Sequence, residues 1–262
     1  DRFTQETARF GNDLSTLPNF PAEIRAPTGT LPGVSSFQLH FADHDIMTPG
    51  DRPDVLVAMN PAALKANLAD VKKGATIIVD SHDFTTRNLN KAAYAENPLE
   101  NDSLSEYDLH AFELTDMTVE AVKEFGLSRK DASRAKNMFA LGLLSWMYGR
   151  PTEPTLAFLE RRFAKAPDIR DANITAFKAG WNFGETSELI DVRYEVRPAR
   201  DVPPGVYRNV NGTTTTALGL LAASVRSGLP LVLSAYPITP ASELLHDLST
   251  RQSSGVRTIQ AE

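Results

Sequence analysis

The sequence predicts an α/β protein with parallel strands, and three observations carry that prediction. Asp54-Val-Leu-Val-Ala-Met-Asn60, Ala75-Thr-Ile-Ile-Val-Asp80 and Pro230-Leu-Val-Leu-Ser-Ala235 are short apolar runs without polar alternation, the pattern of strands buried on both faces. Two of these runs lead straight into helix-start signals, Asn60 before Pro61 and Thr239 before Pro240, where the first residue caps and the proline suits the opening turn. Between the first two runs, Pro61 to Asp70 reads as a helix, and Gly74 ends the connection, which completes a βαβ unit.

Taken in order, Asp1 to Phe20 starts helix-compatible and then reads as irregular through Ser15-Thr-Leu-Pro18 and Asn19-Phe-Pro21. Ala26 to Gly33 is broken up by Gly and Pro and reads as a surface loop. Ser35 to Phe41 alternates, with Phe37, Leu39 and Phe41 on one side, as a half-buried strand does. His40, Asp43, His44 and Asp45 are of metal-ligating types, but they span a strand end and a turn, and no metal is expected on this chain.

A right-handed crossover places Asn60 and Asp80 at neighbouring strand ends, on the edge where open α/β sheets bind ligands. Asn60 could receive an anionic group there, although capping is the simpler role. Ser81 to Leu109 is polar and turn-rich, and Tyr107 to Leu114 alternates as a further strand.

Helices follow. Thr118 to Glu124 reads as a short helix closed near Gly126; Ser128 to Asp131 resembles a capping box that opens a long helix through Trp146. Met138, Phe139, Leu141, Leu143, Leu144, Trp146 and Met147 nearly surround that helix, so it should be deeply covered. Thr152-Glu-Pro154 starts a helix through Phe163, with Arg161, Arg162 and Lys165 at its negative end, and Asp168 to Gly180 reads as another. Arg197 to Gly205 is charged and Pro-rich, a semi-rigid linker and a domain boundary. Beyond it lie a helix over Thr213 to Ser224, the Pro230 to Ala235 strand, a helix with Leu244, Leu245 and Leu248, and a last strand over Gly255 to Gln260.

Composition narrows the function. The chain has 262 residues, 42% hydrophobic and 23% charged, enough for one large domain or two. No run of eighteen apolar residues is present, so no membrane partner is expected, and a charge of −6 argues against nucleic acid. With no cysteine, the chain can hold neither a disulfide nor an iron–sulfur cluster on its own thiolates.

Several stretches together resemble 2-oxoacid:ferredoxin oxidoreductases. Tyr236-Pro-Ile-Thr-Pro240, followed by Ala-Ser-Glu243 and by Val256-Arg-Thr-Ile-Gln-Ala-Glu262, is similar to the start of their pyrimidine-binding domain. Asp54 to Asp80, Asn137-Met-Phe-Ala-Leu-Gly142 and Phe177-Lys-Ala-Gly-Trp-Asn182 resemble their gamma domain. The resemblance covers nearly the whole chain, and its order is that of the alpha subunit of the two-subunit 2-oxoglutarate enzymes. It departs at Thr213 and Thr214, where relatives usually have Asn and often Glu, so no role passes to Thr213.

The resemblance implies a Rossmann-like gamma domain over residues 1–197, a linker over 198–205, and the start of a thiamine-diphosphate pyrimidine-binding domain over 206–262, incomplete at both ends of the chain. It implies oxidative decarboxylation of a 2-oxoacid, 2-oxoglutarate above pyruvate or branched acids, with acyl transfer to coenzyme A and electron transfer to ferredoxin. Glu262 matches the carboxylate that hydrogen-bonds the aminopyrimidine and favours its imino tautomer. Thr239 matches the loop threonine over the cofactor that can bond the substrate carboxylate, while Tyr236, Pro237 and Ile238 wall the cofactor and exclude water. Magnesium and a [4Fe–4S] cluster are expected on a beta subunit, in a cytoplasmic dimer of alpha–beta heterodimers. A rival reading makes residues 1–197 a nucleotide- or coenzyme-binding module without catalysis, but no G-x-G-x-x-G supports it.

Overall fold

The structure, a computed structural model, describes residues 2–19, 34–200, 203, 205–208, 210–238 and 241–261. The chain forms two compact units, Asp1–Pro203 and Pro204–Glu262. In the first, helix α1 (Arg2–Phe10) leads into strand β1 (Asp13–Asn19), which pairs antiparallel with β2 (Ser36–Ala42). The sequence reading of Ser15 to Pro18 as irregular is therefore corrected. Both strands of this two-stranded sheet are edges, and an edge tolerates Pro18, which lacks an N–H, where a central strand would not. The Gly/Pro stretch of 26–33 lies outside the described residues.

β3 (Val55–Ala58), α2 (Pro61–Asn67) and β4 (Thr76–Asp80) form the expected βαβ unit, with Val55 opposite Thr76 and Ala58 opposite Val79 in parallel register. Asn60 Oδ1 accepts from Ala63 N at 2.9 Å, so the Asn-Pro start is a real cap. The following polar stretch contains a short helix that its turn-rich composition hid, α3 (Thr86–Lys91), capped by Thr85. β5 (Asp108–Phe112) then adds to β4 in parallel, giving the order β3-β4-β5. Every residue of β4 is buried, as its central place demands, whereas β3 is mostly half-buried because it stands at an edge.

Alternate residues of β4 serve two cores. Ile77 and Val79 pack with Leu64 of α2, Phe84 and Leu104, while Ile78 packs on the other face with Leu114, Phe139 and Leu143. That second layer is helical. α4 (Leu114–Ala121) starts four residues before the predicted Thr118, because its first turn is held by a residue far away in sequence, as described below. The predicted long helix is two: α5 (Arg129–Arg134), capped by Ser128, and α6 (Lys136–Met147), separated at Ala135. α7 (Glu153–Arg162) starts at Thr152 without a side-chain cap, and α8 (Pro167–Thr186) runs six residues past the predicted Gly180.

α6 and α8 approach closely through glycines. A Cβ on Gly142 would fall on the Phe177 carbonyl, one on Gly180 on the Phe139 carbonyl, and one on Gly184 on the Trp146 ring. The two stretches singled out by resemblance, 137–142 and 177–182, thus meet at one helix crossing.

In the second unit, α9 (Gly212–Ser227) is capped by Asn211, and β6 (Val232–Ala235), α10 (Ser242–Ser249) and β7 (Arg257–Gln260) follow. β6 and β7 are parallel, with Ala235 opposite Gln260. Ala217, Leu221, Leu248 and Val256 form its core, backed by Leu233 and Leu244. The expectation that Pro230 to Ala235 is buried on both faces is corrected: α9 and α10 supply the only apolar cluster on the strand among the described residues, and Val232 and Ile259 are each about half exposed. The apolar composition of β6 was legible; what covers each face is set by other segments.

Candidate functional site

Two sheet edges could carry chemistry, one in each unit. In the first unit, the parallel register brings Asn60 and Asp80 to the carboxyl-terminal edge of the sheet, where a ligand was expected. Both are already engaged. Asn60 caps α2, and Asp80, fully buried, accepts from Thr115 N at 3.2 Å, Thr115 Oγ1 at 2.6 Å and Lys136 Nζ at 3.2 Å. Asp80 thereby places a carboxylate at the amino end of α4, where the free N–H groups and the dipole favour it, and this explains the early start of that helix.

Lys136 also reaches Asp83 at 2.8 Å. Burial works against its charge, but the bonds to Asp83 and Asp80 outweigh it and hold the ammonium above the usual lysine range. Beside this network, His82 Nδ1 lies 2.5 Å from Asp116 Oδ2, and Arg129 binds the other oxygen of Asp116 at 2.8 Å. Sequence reasoning missed His82, Asp116 and Lys136. Ser81-His-Asp83 just beyond a buried strand was a signal for the first, but Lys136 lies 53 residues from Asp83, and only the fold joins them.

The cluster His40, Asp43, His44 and Asp45 does not converge. His40 Nδ1 faces the Thr48 carbonyl at 2.7 Å and His44 pairs with Asp43 at 3.0 Å, and no grouping of three His, Cys, Asp or Glu residues suited to a metal occurs among the described residues.

The second unit places its candidate residues at one edge. β6 ends at Ala235 and β7 at Gln260, and Ala261 N donates to the Ala235 carbonyl at 3.0 Å, so Tyr236-Pro-Ile238 and Ala261 leave the sheet side by side. The loop turns at once: Ile238 N donates to Tyr236 O at 2.9 Å across Pro237, and Ser242 N donates to Ile238 O at 2.9 Å as α10 begins. Proline and these two bonds leave the loop few alternative shapes. Tyr236 and Ile238 present exposed side chains, 62% and 57%, at this edge. Thr239, Pro240 and Glu262, including the predicted cap at Thr239, lie outside the described residues. Their chain neighbours Ile238 and Ala261 are the ones that the β6–β7 register sets at the same end of the sheet.

A pair of exposed, semi-rigid hydrophobic residues at a parallel-sheet edge can wall a planar ring, and can do little acid–base chemistry without a neighbouring carboxylate. Among the described residues no helix is long and apolar enough to cross a membrane.

Comparison with known proteins agrees with this architecture. The chain is 58% identical, over all 262 of its residues, to 2-oxoglutarate oxidoreductase subunit KorA from Mycobacterium tuberculosis, and spans 40% of that protein's length. Its fold is similar, with a TM-score of 0.64 and 24% identity, to a 2-oxoglutarate:ferredoxin oxidoreductase from Magnetococcus marinus solved with 2-oxoglutarate, coenzyme A and succinyl-CoA bound, over 99% of this chain and 40% of that one. Residues 3–183 match the family described as pyruvate ferredoxin/flavodoxin oxidoreductase, and the chain belongs to that family.

Proposed function

We propose that this chain is part of the alpha subunit of a 2-oxoacid:ferredoxin oxidoreductase that converts 2-oxoglutarate, coenzyme A and oxidised ferredoxin to succinyl-CoA, carbon dioxide and reduced ferredoxin. The observation that carries the reading is the 58% identity along the entire chain to a 2-oxoglutarate oxidoreductase subunit. In this reading residues 1–197 are a gamma domain, 198–205 a linker, and 206–262 belong to a pyrimidine-binding domain.

Thiamine diphosphate, when bound, supplies the electron sink for loss of carbon dioxide. The residues present suit its pyrimidine half: a stiff loop with exposed Tyr236 and Ile238 next to the end of β7. Tyr236, Pro237 and Ile238 wall the ring and keep water away, which strengthens charge interactions there. Glu262 hydrogen-bonds the aminopyrimidine and holds its proton, and Thr239 bonds the substrate carboxylate. Magnesium and the [4Fe–4S] cluster sit on a beta subunit; the 262 residues here include no cysteine that could ligate a cluster. The assembly is a cytoplasmic dimer of alpha–beta heterodimers.

The test uses the full-length alpha subunit with its beta subunit. Ferredoxin should be reduced only when both 2-oxoglutarate and coenzyme A are present, and Glu262→Ala should lower thiamine diphosphate retention and kcat at least ~100-fold, the range of a lost acid–base group. Full turnover by the Glu262→Ala enzyme, or preference for pyruvate, would overturn the assignment of the residue or of the substrate, respectively.

A further inference from the structure

The first unit also carries a cleft at the end of its three-stranded sheet opposite Asn60 and Asp80. It measures about 240 Å³ and opens beside Asp54 and Val55, where β3 starts, whereas Asn60 follows the finish of that strand. Open α/β sheets bind ligands beyond the carboxyl ends of their strands, so this cleft is separate from the edge described above. It is also smaller than the ~300–1,000 Å³ of pockets that take drug-sized ligands, and suits a single ring with one substituent.

Its walls are held in place before any ligand arrives. Gln38 Nε2 on β2 donates to the carbonyls of Pro49 at 2.8 Å and Gly50 at 2.6 Å, and His40 Nδ1 donates to the Thr48 carbonyl at 2.7 Å, so the 48–50 turn is pinned along the strand. Phe41, Tyr148 and Tyr194 supply an aromatic wall. The two tyrosine rings stack with centres 4.9 Å apart, Phe41 meets Tyr148 edge-on at 5.2 Å, and Tyr194 Oη is tied to Thr76 Oγ1 at 3.2 Å. Two lining donors are left over: neither the Tyr148 hydroxyl nor the Arg52 guanidinium has a hydrogen-bond partner among the described residues. Burial pushes the Tyr148 hydroxyl up, so it keeps its proton and stays a donor. Asp54, the one acid among the lining residues, is already paired with Lys72, which leaves the guanidinium as the uncompensated charge of the cleft.

We propose that this cleft binds a small planar aromatic carboxylate, its ring against the wall of Phe41, Tyr148 and Tyr194 and its carboxylate on Arg52 and the Tyr148 hydroxyl. Arg52 is exposed and Tyr148 half-buried, which puts the anionic end at the mouth and the ring inside. The parallel N–H groups of a guanidinium match the two oxygens of a carboxylate, and an aromatic wall favours a ring over an aliphatic body of the same size. Inorganic phosphate would engage Arg52 but leave the aromatic wall uncovered. The site belongs to the first unit alone and does not depend on which 2-oxoacid the enzyme uses.

The full-length alpha subunit, in complex with its beta subunit, is titrated with benzoate at constant ionic strength, and binding is read by calorimetry and by saturation transfer to the ring protons. Saturable binding is expected, about tenfold weaker or more for benzamide, which lacks the charge, for cyclohexanecarboxylate, which lacks the planar ring, and for inorganic phosphate. Arg52→Gln changes an exposed side chain and leaves the core intact; it should weaken benzoate about tenfold or more, the range of a lost bond to a charged group. Tyr148→Phe keeps the ring and should weaken benzoate about threefold or more through loss of the hydroxyl. No saturable benzoate binding, equal binding of any of the three comparison compounds, or unchanged benzoate affinity in Arg52→Gln overturns the proposal.

Discussion

At the residue scale, Glu6 shows how burial changes chemistry that sequence leaves open. It lies on a polar, amphipathic helix, where a glutamate would ordinarily face water, yet it is 1% exposed. Burial pushes its carboxyl up to about 7, against the opposing pull of the Ser145 hydroxyl, Arg2 and Arg150. Because the folded protein then holds a proton that the unfolded chain releases near 4.5, the contribution of Glu6 to stability is fully present below about pH 4.5 and is lost as pH rises towards 7, by up to ~3 kcal/mol. Glu6→Gln should remove that slope and raise Tm at pH 8, which thermal denaturation from pH 5 to 8 measures. An unchanged slope would mean that Glu6 is not the titrating group. Nothing within four residues of Glu6 forecasts this, since Ser145 and Thr155 come from α6 and α7.

At the scale of elements, the α6–α8 crossing is set by what its glycines lack. Gly180 stands where any Cβ would meet the Phe139 carbonyl, so the helices must part or bend to admit one. Gly180→Ala should cost ~3 kcal/mol in urea denaturation despite the better helix propensity of alanine. Gly219 is the control. It sits exposed in α9 with no atom within 4 Å of its Cβ position, so Gly219→Ala should stabilise the second unit by ~0.5–1 kcal/mol. Equal effects from the two substitutions would refute close packing as the reason for Gly180. Both stretches at the crossing were visible as patterns in the sequence, but nothing in either alone says that they touch.

Across the whole molecule, the two units carry separate cores. Leu248 is fully buried in a cluster drawn from α9, α10 and the second unit's strands, whereas Ile77, Ile78 and Val79 anchor clusters of the first unit. Leu248→Ala should therefore lower hydrogen-exchange protection in α9 and β6 by ~2–5 kcal/mol and leave β4 protected as before. Loss of protection in both units together would show that they unfold as one.

By itself the sequence determined the βαβ unit, the caps at Asn60 and Ser128, the parallel strands β6 and β7, and the loop at Tyr236 to Ile238. These depend on proline, cap residues and apolar runs that act within a turn or a strand length. Only the tertiary structure decided the pairing of β1 with β2, the early start of α4, the break at Ala135, the open face of β6, and the burial of Glu6 and Arg150. Each of those is set by a partner tens of residues away, such as Asp80 for α4 or Ser145 for Glu6. Local chemistry carries no record of which distant segment arrives, or of whether water is excluded when it does.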